Sequence, residues 1–353
     1  MWSETHPRIS QLTKLRSLSD DDADLILERL QCGFSGDCVS LAAERATRHC
    51  EGGVVSASLS EVDRETDKLC YEFLQRYSTI PEWVDWERMM RGQLVFQRYC
   101  QTSLLSLLYS SLLGGFGAPL INKVLTSTNY LSGSCPATYR RLVETTLMIC
   151  ACVGPNVDAM KSPWTDPKTS SPTTANSSTA TSTTTSPSVI TPPSPLPTHY
   201  GDGWLSTLRV RFLHAKVRSM LRSRPSWDYE TYGIPINQED MLATLLAFSF
   251  NVTWSLGHVN IHMANDEKED YIHLWRYIGY LSGIRMDVLD QHMTSYDRSM
   301  KCSEAIMYHL GQKMNGSPIM YGGCSWLLLS FPHISHLFFV FVSSSLSSSI
   351  LSF

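Results

Sequence analysis

Along most of the chain apolar residues return every three or four positions, the spacing of one helix face, while strict alternation of apolar and polar residues is scarce. The segment DDADLILERL, residues 21–30, reads as an amphipathic helix started by Ser19 or Asp20 as N-cap. A second helix covers Thr66 to Tyr77, and Pro81 opens a third in PEWVDWERMMRGQLVFQRY. From Ser103 to Leu125 the chain is almost uncharged and is broken by Gly114, Gly115, Gly117 and Pro119, which predicts two buried helices meeting at a tight corner. Further helices are expected over Ala137–Val153, Trp204–Arg222, Glu239–Trp254 and Tyr271–Ile284, and another from Met286. A Pro-bounded loop, RPSWDYETYGIPIN, separates the second and third of these. The pattern is all-α.

Two stretches depart from it. From about Ser162 to Pro197 the chain is Ser, Thr and Pro with hardly a large apolar side chain, so it cannot bury enough surface to offset its conformational entropy. It is expected to be a disordered surface insertion, about residues 155–200, inside one large helical domain. Trp326 to Val342, WLLLSFPHISHLFFVFV, approaches the length of a membrane span but is interrupted by Pro332, His333 and His336. A tail anchor is one reading, and a change of reading near Met320, such as a retained intron, is the other. The expected organisation is an N-terminal helical extension over 1–80, a main domain over 81–320 and a hydrophobic Ser-rich tail over 321–353. No signal peptide is visible in the polar first residues, so an intracellular, membrane-associated location is expected. A net charge of −4 gives no basic stripe for nucleic acid. The ten cysteines form no CxxC pair, and Cys150 and Cys152, in an apolar run, are expected to be buried thiols.

The chemistry concentrates in LRVRFLHAKVRSMLR, Leu208 to Arg222. At about 100° per residue Arg211, His214 and Arg218 fall within roughly 60° of one another. Val210, Leu213, Val217, Met220 and Leu221 form the adjoining apolar stripe, and Arg209 and Lys216 are expected to face solvent. A neutral imidazole on such a face suits a haem iron, and flanking arginines suit carboxylates such as the two propionates of haem b. A histidine between arginines on an amphipathic helix is, however, more commonly an interior or rim residue than a ligand. The absence of CxxCH excludes covalent c-type attachment. His258, His262 and His273 lack the Glu of an HExxH zinc motif. Asp266, Glu267, Glu269 and Asp270 read as a solvated run or a helix N-terminus, and Trp83 and Trp86 as core residues.

The segment GWLSTLRVRFLHAKVR resembles the signature of the haem-b oxygenase-like family typified by the latex-clearing protein and the fungal endoplasmic-reticulum-bound prenyl-side-chain oxygenases. GIPINQEDMLATLLAFSF (233–250), YIHLWRYIGYLSGI (271–284), PEWVDWERMMRGQLVF (81–96), LGGFGAPLINKVL (113–125) and RRLVET (140–145) resemble further parts of it in the same order. The resemblance implies a globin-like helical core holding haem b, with His214 as proximal iron ligand and Arg211 and Arg218 beside the cofactor. It implies O2 as co-substrate on the opposite face, steadied by the catalytic candidates Arg141 and Thr145. It further implies oxidative attack on a C=C bond of a lipophilic, prenylated small molecule; the apolar segments Leu104–Leu113 and Met241–Phe250 suit a channel for such a molecule and equally suit plain core. The sequence departs from the rubber-cleaving pattern in having no Asp or Glu over Ile121–Tyr139. Glu144 is set off the Arg141 and Thr145 face, a poor substitute for the missing base. A non-catalytic or peroxidase-like haem protein, and a truncated inactive relative, are the competing expectations.

Overall fold

The computed structural model describes residues 6–51, 59–112, 118–128, 135–166 and 200–311. The Gly114–Gly117 corner, most of the Ser/Thr/Pro stretch and the 326–342 segment lie outside them. Among the described residues the regular structure is helical throughout, with no strand. The helices are α1 (Ile9–Leu15), α2 (Asp21–Leu30), α3 (Cys38–Glu51), α4 (Glu61–Ser78), α5 (Trp86–Arg98), α6 (Cys100–Ser106), α7 (Pro119–Ser127) and α8 (Cys135–Val153). They continue as α9 (Asp202–Arg222), α10 (Tyr229–Tyr232), α11 (Gln238–Phe248), α12 (Phe250–His258), α13 (Asn265–Leu281), α14 (Met286–His292) and α15 (Tyr296–Gly311). A π-helical stretch, Leu107–Leu112, extends α6. Among the described residues no helix is long and apolar enough to cross a membrane.

Local chemistry sets many of the starts. Asp20 caps α2 by accepting from the Ala23 backbone N–H, and Asn237 caps α11 through Asp240 N. Asp85 accepts from the N–H groups of Glu87 and Arg88, so the third helix opens at Trp86 and not at Pro81. Pro119, whose missing N–H is no loss at a first helical position, opens α7. The single helix expected over Glu239–Trp254 is two, because Ser249 (φ −105°, ψ −84°) leaves helical geometry and its hydroxyl donates to Leu245 O, doubling the bond already made by its N–H.

One apolar core runs from Leu12 to Leu310, so the helices before residue 80 share it with those that follow. Helix α9 lies near its centre, packed by α2, α3, α8 and α13. Trp204, Leu208, Phe212 and Leu221 on α9 are 2% exposed or less. Each such side chain stabilises the fold by about 1.5–3 kcal/mol. Helix α5 lies along α13 at close range: a Cβ added to Gly92 would stand 2.6 Å from Asp270 O and 3.0 Å from Leu274 Cβ. The acidic run beginning at Asp266 opens α13, as one of the two readings had it, yet Asp270 is buried and held by Arg88 and Arg91. Trp83 stands edge-on to His273, whose Nε2 accepts from Asp85 N.

The flanks of the Ser/Thr/Pro insertion meet. Gly201 N donates to Asp158 O (3.1 Å), and Tyr200 Oη reaches Ser162 O at 3.5 Å. An insertion whose ends touch costs little, since loop-closure entropy grows only slowly with length. Two expectations are corrected. Lys216 is buried, its ammonium donating to Phe34 O (3.3 Å) and Gly36 O (2.6 Å) of the loop between α2 and α3. Those carbonyls have no helix to satisfy them, which is why a lysine on the inner side of α9 is tolerated. Cys152 is buried but Cys150, on the other side of α8, is exposed.

Candidate functional site

The α9 helix is clamped to the N-terminal helices through its arginines. Arg211, 1% exposed, donates Nε and Nη2 to the two oxygens of Asp20, both at 2.7 Å, and Nη2 also donates to Tyr77 Oη at 2.8 Å. Its guanidinium lies 4.0 Å from the Tyr77 ring centroid, a cation–π contact in a dry setting. Burial opposes its charge, but Asp20 and Tyr77 more than offset that, and its pKa is driven upward. Two turns on, Arg218 is fully buried and donates Nε to Asp24 Oδ1 at 2.8 Å. Arg222 meets the other oxygen of Asp24 at 3.0 Å. Asp20 and Asp24 both belong to the start of α2, so this end of α2 is tied to α9 by charge-assisted bonds.

His214 lies between the two arginines and is half-buried. Its Nδ1 is buried and finds no hydrogen-bond partner. Burial first, and the Arg218 charge second, hold its pKa down at about 4, against which Asp20 pulls weakly upward. The imidazole is therefore neutral at pH 7, the state a metal ligand requires. Arg211 Nη1 and Arg218 Nη2, on the same face, are likewise buried without hydrogen-bond partners.

Whether these residues suit haem b divides between the two residue types. A neutral imidazole with no protein hydrogen bond to either ring nitrogen is one that would suit a haem iron as a ligand. The arginines do not fit as propionate partners. Both are sealed from solvent, and the carboxylates they meet are those of Asp20 and Asp24. Through these ion pairs they hold the helix that carries His214. Among the described residues no cluster of three or more His, Cys, Asp or Glu side chains could hold a metal ion.

A cavity of about 220 Å³ lies beyond α8. Leu104, Leu107 and Leu108 form one wall, Ala243, Leu246 and Phe248 of α11 another, and Ile306 and Leu310 of α15 a third. The two apolar segments singled out by composition thus line one space. Helix α8 connects this cavity to α9: Leu142, Thr145 and Ile149 line the cavity, while Cys152 of the same helix lies against Gly203 and Thr207 of α9. His214 itself is not among the lining residues.

The two catalytic candidates separate. Thr145 lines the cavity at an exposed position. Arg141 does not line it, and its Nη1 donates to Glu144 at 2.7 Å, while Arg140 donates to the other oxygen of Glu144 at 2.9 Å. Glu144 is held below its ordinary pKa by these two arginines, against the opposing effect of burial. Sequence reasoning missed Asn251 and Ser303, which both line the cavity and hydrogen-bond to each other. Only the break at Ser249 places Asn251 there, and no motif announces it.

Comparison with known proteins follows the same lines. Residues 175–309 match the family described as ER-bound oxygenase mpaB/B'/Rubber oxygenase, catalytic domain. This stretch holds Arg211, His214, Arg218 and Asn251, whereas Arg141 and Thr145 precede it. The rubber oxygenase of Streptomyces sp. (strain K30) is 25% identical over 87 residues, which are 24% of this chain and 21% of that protein. The match therefore spans about a fifth of the length of that curated relative. The solved structure of latex clearing protein LCP in the closed state is similar in fold, with a TM-score of 0.51 at 15% identity, covering 83% of this chain and 64% of that one. Over residues 175–309 the chain is thus similar to the ER-bound oxygenase mpaB/B'/Rubber oxygenase catalytic-domain family.

Proposed function

We propose that the chain is a haem-b-dependent oxygenase that uses O2 to attack a C=C bond of a lipophilic, isoprenoid-like small molecule, with His214 as the protein ligand to the iron. The observation that carries this reading is the state of His214: neutral, half-buried, with an unpartnered Nδ1, on a helix fixed by buried ion pairs. Haem, when bound, supplies the iron chemistry that activates oxygen, and the protein governs access and polarity around it. Arg211 and Arg218 serve as positioning residues that set the α9 register. The cavity next to α8 accepts the apolar body of the substrate, and its leucine and isoleucine walls exclude water from it. Thr145 lines that cavity at an exposed position, where its hydroxyl would help to order what binds there. Arg141, paired with Glu144, keeps the rim of α8 charged and solvated.

The test is the visible spectrum of the full chain, expressed with haem supply, beside His214→Ala. A Soret band present in the wild type and lost or strongly shifted in the variant supports the assignment. A folded wild type with no Soret band refutes it. Oxygen uptake with a prenylated substrate then separates an oxygenase from a haem protein without oxygenase activity.

A further inference from the structure

The cavity is apolar in outline, yet several hydroxyl-bearing side chains line it. Most of their protons are already committed. Ser111 donates to Ala247 O at 2.6 Å, Thr146 to Leu142 O at 2.8 Å and Thr244 to Asp240 O at 2.8 Å. Each satisfies a backbone carbonyl, so each turns a methyl or methylene toward the space. Ser303, 3% exposed, donates to Asn251 Oδ1 at 3.1 Å. That bond fixes the amide: its oxygen faces Ser303, and the two N–H groups on Nδ2 are left without a partner. Thr145 is exposed, where water competes for its hydroxyl.

Asn251 is half-buried, so its amide donors become costly to leave unmet only when an apolar ligand takes the place of solvent beside them. The Ser249 break, which turns the chain from α11 into α12, is what sets Asn251 in the lining. We infer that Asn251, oriented by Ser303, is a specificity-determining residue that selects a lipophilic ligand bearing one hydrogen-bond acceptor, a carbonyl or ether oxygen, over an all-hydrocarbon chain of the same shape. This rests on the reading of the cavity as the substrate site and narrows its substrate class. A plain hydrocarbon leaves the Nδ2 donors unpaired once it displaces water, whereas a carbonyl oxygen meets them. The apolar remainder of such a molecule lies along Leu104, Leu108, Leu246 and Ile306.

The test uses the full chain and two probes matched in shape: geranylacetone, an isoprenoid ketone, and the olefin in which a methylene replaces its carbonyl oxygen. Affinities are measured by titration calorimetry. Wild type is expected to favour the ketone by about tenfold, the worth of one hydrogen bond. Asn251→Leu is expected to bind both probes equally, with the olefin bound at least as tightly as by wild type. Ser303→Ala, which frees the amide to rotate, should reduce the preference without abolishing binding. Equal affinities in the wild type overturn this inference and leave the cavity as a ligand site. Binding of neither probe overturns the cavity assignment as well. The wild-type comparison decides the question even if a variant does not fold.

Discussion

Replacing Asp20 by alanine removes three things at once. It deletes the N-cap of α2, where Asp20 accepts from Ala23 N. It strips Arg211 of a bidentate partner, both bonds being 2.7 Å. It also leaves Arg218 with Asp24 as its one remaining carboxylate partner, since Asp20 stands 3.9 Å from its Nη2. A lost cap costs about 1 kcal/mol. A buried charge left without its partner costs about 3–5 kcal/mol. Asp20→Ala is therefore expected to lose about 4–6 kcal/mol, a large part of the roughly 5–15 kcal/mol that holds a typical domain together. Tyr77 Oη at 2.8 Å and Asp22 at 3.8 Å remain near Arg211 and place the result toward the lower end. Urea unfolding followed by far-UV circular dichroism measures it. Asp20→Asn separates the parts, because the amide oxygen still caps α2 while the charge is gone. A double variant, Asp20→Leu with Arg211→Met, should be less destabilised than the sum of its two singles, since no lone charge stays buried. A loss under about 1 kcal/mol for Asp20→Ala, or strict additivity in the double variant, would refute the view that this ion pair fixes α9.

Two other consequences can be measured. Gly92→Ala sets a methyl 2.6 Å from Asp270 O, so α5 and α13 must part; a loss of about 1–3 kcal/mol in the same unfolding assay is expected, and an unchanged midpoint would show that the helices slide freely. His292 is buried, and burial first and the charge of Arg298 second depress its pKa from 6.5 to about 4. The unfolded chain then binds the proton more readily than the folded one, so the neutral ring contributes stability that is present above pH 6.5 and lost as pH falls from 6.5 through 4. Wild type should lose up to about 3 kcal/mol relative to His292→Gln across that window. Asp240, raised to about 6 chiefly by burial, slopes the other way between 4 and 6 in both proteins and cancels from the difference. A pH-independent gap between the two proteins would disprove the buried neutral state.

Much of the fold was written in local pattern. The 3.6-residue spacing marked α2, α4, α8, α9 and α13 to within a few residues at most of their ends, because each buries one stripe. The short α1 and the helix α3 escaped notice, their apolar positions being few or small. The break at Ser249 escaped too, since a serine inside an apolar run gives no local sign of whether it will bond backward. The motif around His214 was legible because Arg211, His214 and Arg218 share one face of one helix. The partners of Arg211 and Arg218 were not, since Asp20 and Asp24 lie about 190 residues away, as the separations of 191 and 194 residues in these bonds show.

The sequence by itself determined the helices, the face on which Arg211, His214 and Arg218 lie, and the insertion that interrupts them, since periodicity, capping and composition act over a few residues. Tertiary structure alone decided what each of those groups does. It paired the two arginines with Asp20 and Asp24 of α2, buried Lys216 against loop carbonyls, and brought Asn251 and Ser303 together in a cavity built from α8, α11 and α15. Charge and hydrogen-bond partners are chosen by proximity in space, and proximity is set by how the apolar faces pack.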